Sequence, residues 1–112
     1  MNKQQLSELL GRCSPDSPLF PAAQEAVKRL QASNSHRISF SGEPEDREAL
    51  LRIYSVRLKL SHQRKQHMLG LEETVQMFAR GQGPLRSGYA ETDAHLIYFW
   101  IDDAGNLAGC IP

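Results

Sequence analysis

Apolar positions recur at helical spacing through the first 80 residues of this 112-residue chain and at strand spacing through its last third. Leu6, Leu9 and Leu10 predict a short amphipathic helix over residues 2–12, with Gly11 near its end. Ala23, Ala26, Val27 and Leu30 keep the i, i+3, i+4, i+7 spacing of one buried face, so a second helix starts near Pro18 to Pro21 and runs to Ala32. His36-Arg37-Ile38-Ser39-Phe40 alternates as a short strand would. Gly42-Glu43-Pro44-Glu45-Asp46 then reads as a helix start, its acidic residues placed at the positive end of a helix dipole. Beyond it the period is double. Leu50, Leu51, Tyr54 and Leu58 fit a helix face, whereas Val56-Arg57-Leu58-Lys59-Leu60 alternates like a strand. Good helix formers and the absence of Gly or Pro before Gly70 favour one long helix to about Leu69. Leu71 to Arg80 predicts a further helix, ended by a turn at Gly81-Gln82-Gly83-Pro84.

The strongest strand signal is Leu96-Ile97-Tyr98-Phe99-Trp100-Ile101, followed by the turn cluster Asp102-Asp103-Ala104-Gly105-Asn106 and a return run, Leu107 to Ile111. Alternation places Ile97, Phe99 and Ile101 on one face and Leu96, Tyr98 and Trp100 on the other. A strand apolar on both faces needs cover on both. The first face is expected to be core, packed on helices carrying Val27, Leu30, Leu50 and Tyr54. The second is expected to present Tyr98 and Trp100, either as a surface or beneath the N-terminal helix. Leu85 to Ile111 supplies two or three strands in all. The pattern predicts a single α+β domain over residues 1–112, with N-terminal helices packed on a small C-terminal antiparallel sheet ending in a hairpin.

Charge narrows the classes. Thirteen basic and 13 acidic residues cancel, which argues against a dedicated nucleic-acid binder, since such proteins carry a basic excess. The first ten residues lack the apolar run of a secretory leader, and no stretch is long enough to span a bilayer, so no membrane partner is expected. The expectation is a cytoplasmic chain with Cys13 and Cys110 as reduced thiols.

Candidate chemistry is sparse. The cysteines lie outside any C-x-x-C spacing, and His62 and His67 diverge on a helix, so no metal or cofactor is predicted. Glu72-Glu73 is explained by a helix N-terminus and Asp102-Asp103 by turn chemistry, leaving no acid–base pair. No catalytic constellation emerges, and the expectation is a protein that is not an enzyme. What stands out is a basic stretch, Arg52, Arg57, Lys59, Arg64 and Lys65, without an acidic residue between Glu48 and Glu72. Such a face meets phosphates or an acidic protein surface.

In overall plan, and in its Ile-Asp-Asp-Ala-Gly-Asn-Leu-Ala-Gly-Cys-Ile hairpin, the chain resembles small bacterial toxin-immunity proteins. The resemblance implies a protein-binding module that occludes the active site of a toxin or enzyme partner. Its zero net charge departs from the acidic balance of many such proteins and argues against a nuclease target. The residues expected to contact a partner are Tyr98, Trp100, Asp102, Asp103 and Glu91 on the strand face and its rim, with Arg57, Arg64 and Lys65 on the basic helix. A second copy of the chain is the other occupant considered for the strand face. The alternative function is a small nucleic-acid-associated or regulatory protein using residues 52–67.

Overall fold

Helices cover both faces of one antiparallel sheet. The structure is a computed structural model and describes residues 1–81 and 85–112, so Gln82, Gly83 and Pro84 of the expected glycine-rich turn lie outside the described residues. The elements run α1 (Lys3–Gly11), α2 (Phe20–Gln31), β1 (His36–Glu45), α3 (Arg47–Gln63), α4 (Leu71–Ala79), β2 (Leu85–Thr92), β3 (Leu96–Ile101) and β4 (Leu107–Ile111). The strands form an antiparallel sheet in the order β1-β2-β3-β4. The chain is α+β. No helix among the described residues is long and apolar enough to cross a membrane.

Local chemistry accounts for the element ends. Asn2 caps α1 in a reciprocal capping box with Gln5, and Pro21 occupies the first turn of α2, where its missing N–H costs nothing. β1 begins where the alternation predicts but runs five residues further, through the stretch expected to open a helix. A register irregularity between Phe40 and Pro44 absorbs extra residues there, and Pro44 is tolerated because β1 is an edge strand. The helix start falls at Asp46, whose carboxylate accepts from the backbone N–H of Glu48 and Ala49.

α3 ends at Gln63, six residues before the predicted Leu69. Lys65 takes the left-handed conformation (φ 53°) that usually falls to glycine. The Gln66 N–H then bonds to the Ser61 carbonyl at 2.9 Å and the Lys65 N–H to the His62 carbonyl at 3.1 Å, closing a Schellman motif. Nothing apolar follows until Met68, so continuing the helix would bury no further surface.

Two cores flank the sheet. Ile97, Phe99, Ile101, Ala90 and Cys110 meet α1 and α2 through Leu6, Leu9, Leu10, Ala26 and Leu30, with Val27 at the margin. On the other face Trp100, Leu85, Ala108 and Ile111 meet α3 and α4 through Tyr54, Leu71 and Phe78, with Leu50 at the margin. The expected partition is thus half corrected. Val27 and Leu30 do share a core with Ile97, Phe99 and Ile101, but Leu50 and Tyr54 lie on the opposite side. Helical periodicity identifies a buried face and says nothing of which sheet face it meets.

β4's outer edge is sealed by a buried side chain. The Thr74 hydroxyl of α4 accepts from the Cys110 N–H at 3.2 Å and donates to the Cys110 carbonyl at 3.1 Å. Gly70, which opens α4 at φ 80°, permits this approach, because a Cβ there would lie 2.5 Å from the Cys110 carbonyl oxygen.

Burial pushes the Cys110 thiol up to about 12, with nearby Cys13 adding to the shift. The unfolded thiol ionises near its ordinary 9.0, so the native state loses stability as pH rises from about 9 toward 12. Half-buried Cys13 is reachable, whereas Cys110 is both buried and protonated at mild pH. An aromatic disulfide reagent near pH 8 should therefore modify Cys13 quickly and Cys110 only on unfolding. A Cys13→Ser variant should lack the fast phase; two fast thiols in the native protein would contradict this packing.

Candidate functional site

The double period of α3 has a structural explanation. At 3.6 residues per turn, Leu51, Tyr54 and Leu58 fall on one side, and Ile53, Val56 and Leu60 fall within roughly 60° of each other on the far side. The first set packs into the α3–α4 core. The second is exposed: Ile53 by 52%, Val56 by 58% and Leu60 by 42%. The strand-like alternation of Val56-Arg57-Leu58-Lys59-Leu60 is the superposition of an inward Leu58 on an outward Val56 and Leu60. Single exposed apolar side chains are ordinary, but three in one helical stripe form a ridge.

Cations border that ridge on both sides. The same helical geometry sets Arg57 and Arg64 along one flank and Arg52 and Lys59 along the other, all exposed. Lys65 continues the charge past the helix end. Among the described residues Arg52, Arg57, Lys59, Arg64 and Lys65 make no salt bridge; the ion pairs are Arg29–Glu25, Arg37–Glu91 and Arg86–Asp103. Arg57 instead lies 5.3 Å from the centre of the Tyr54 ring. Burial raises the Tyr54 hydroxyl pKa, and the Arg57 charge partly offsets it.

Beside α3 the sheet carries a concave groove of about 330 Å³. It exists because β1 and β2 present small residues, Ser39, Ser41 and Ser87, next to the large Tyr98 of β3. Leu50 and Tyr54 form its α3 wall. The carboxylate of Glu45 also lines it and accepts from the Ser87 hydroxyl at 2.7 Å. The groove opens on the inward side of α3 and the ridge lies on its far side, so Ile53, Val56 and Leu60 do not line the groove.

The sequence-predicted contact residues divide. Trp100 does not form part of a surface: it is 1% exposed, boxed by the perpendicular rings of Tyr54 at 5.2 Å and Phe78 at 5.0 Å. Its cover is α3 and α4, not the N-terminal helix. The indole Nε1 has no hydrogen-bond partner within this box. Tyr98 is half-buried, stacked 6.4 Å from the Trp100 ring, and opens onto the groove.

The acidic rim is not one rim. Glu91 sits at the β2–β3 hairpin end, tied to Arg37 at 3.3 Å. Asp102 and Asp103 lie at the other end of β3, six residues away, which is roughly 20 Å of strand. Asp102 spends its carboxylate on the turn, accepting from the Ala104 and Asn106 N–H groups, and Asp103 pairs with Arg86. Arg57, Arg64 and Lys65 do lie together on α3 and just past its end. The residues that charge-based reasoning missed are Ile53, Val56 and Leu60, and the ambiguous period was the signal that could have found them.

Among the described residues no group of three or more His, Cys, Asp or Glu side chains could hold a metal ion. Comparison with protein-family models, with curated proteins and with solved structures finds no match to this chain.

Proposed function

We propose that the protein is a non-catalytic protein-binding module, acting as an immunity-type inhibitor that covers the working surface of a toxin or enzyme partner. The observation that carries this reading is the α3 ridge: three exposed aliphatic side chains bordered by cations that have no acidic partner among the described residues. Interface energy concentrates where apolar anchors are enclosed by a polar rim, and uncommitted charges set orientation and association rate. The complementary partner carries an apolar depression edged by Asp and Glu. Tyr98, half-buried in the sheet groove, offers rigid aromatic contact area at low entropic cost on a separate face.

The exposed cations alone would equally suit phosphates, but an apolar ridge along their midline does not suit a phosphate backbone, where contacts are polar and charged. The test is affinity capture with the tagged chain from nuclease-treated extract of its own source cells, followed by identification of what is retained. A stoichiometric protein whose catalytic or toxic activity falls on titration with the pure chain is the expected result. Retention of nucleic acid alone, or a protein partner whose activity is untouched, would overturn the reading.

A further inference from the structure

The sheet has one closed edge and one open edge. α4 runs along β4 and Thr74 satisfies both backbone groups of Cys110, whereas β1 has β2 as its one substantial neighbour among the described residues. Which groups of β1 face outward follows from two anchors. Cys110 turns its N–H and C=O to Thr74, so its cross-strand mate Phe99 turns toward β2 and bonds to Gly88. Gly88 then faces away from β1, and Phe40 opposite it directs its N–H and C=O off the sheet. The 2.8 Å bond from the Thr92 N–H to the His95 carbonyl falls in the same alternation. With period two, Ile38 and His36 also point outward. No described group bonds to these three N–H and three C=O groups.

An unprotected edge of this kind is a template for another strand. We propose that the occupant is a second copy of β1, pairing antiparallel about a two-fold axis through Ile38 and joining two sheets into one of eight strands. The choice of occupant rests on self-complementarity. In this register Ile38 exchanges both bonds with the partner's Ile38, and His36 and Phe40 exchange theirs with the partner's Phe40 and His36. All six outward groups are satisfied at once. On the α1–α2 face Ile38, already at the margin of the core, extends its cluster across the axis. On the opposite face Arg37 stands across from the partner's Ser39, so no like charges are directly opposed, and the diagonal Arg37 pair is neutralised by each chain's own Arg37–Glu91 ion pair. The chain's formal net charge of zero leaves no long-range repulsion between copies. Pro44 and the irregularity after Phe40 end the pairing, which confines it to this short segment.

Sedimentation velocity over a concentration series tests this. The wild type should approach twice the 12.6 kDa chain mass as concentration rises. Ile38→Lys sets two ammonium groups against each other on the axis and should hold the protein at the monomer mass. His36→Pro removes an outward donor at the first residue of the strand, where proline is tolerated, and should weaken the dimer at least tenfold. Unchanged circular dichroism establishes that both variants fold. A double Val56→Asp, Leu60→Asp variant should dimerise like the wild type. A wild type that stays monomeric throughout overturns the proposal, as does a dimer that survives both β1 substitutions or one lost only when the α3 ridge is altered. Since β1 and the ridge are separate surfaces, this result is independent of whether the ridge binds a partner.

Discussion

Trp100→Ala should destabilise the protein by roughly 3–5 kcal/mol, the range for emptying a fully buried aromatic site. Trp100 is the hub of the α3–α4 core: Tyr54 and Phe78 meet it edge to face, and Gly109 of β4 approaches so closely that a Cβ there would lie 3.1 Å from the indole Cε3 atom. Aromatic pairs of this geometry add about 0.5–1.5 kcal/mol each beyond area burial. Small domains have only about 5–15 kcal/mol of total stability, so the loss is a large share of it. Urea unfolding followed by circular dichroism should show a much lower midpoint. A midpoint close to wild type would place the indole outside the core. This replaces the sequence-based expectation that Trp100→Ala would leave the fold intact and weaken binding.

That revision shows where sequence reasoning stopped. The alternation of β3 correctly separated Ile97, Phe99 and Ile101 from Tyr98 and Trp100, because a pleated strand fixes that geometry locally. It also required cover on both faces, and the fold supplies it. Which helix covers which face is a long-range outcome and left no local trace, so Tyr54 and Leu50 were assigned to the wrong side. The early stop of α3 was hidden because Lys65, not glycine, takes the left-handed position. β1's extension was hidden by Gly42 and Pro44, which signal a turn in isolation and are accommodated here by an irregular edge strand. At the candidate surface, the cluster of Arg57, Arg64 and Lys65 was legible from charge alone. The apolar ridge between those cations was visible only as a period that fitted helix and strand at once.

An inhibitor of this kind must bind through the α3 ridge. Calorimetric titration of the captured protein partner with the wild type and with the Val56→Asp, Leu60→Asp variant tests it directly. Both positions are solvent-facing, so the variant should melt within a few degrees of wild type. It sets two carboxylates against a partner surface expected to be acidic and removes two apolar anchors. Affinity should fall at least 30-fold, which is about 2 kcal/mol, the level that marks a binding hot spot. A folded double variant that binds as tightly as the wild type would contradict binding through the ridge.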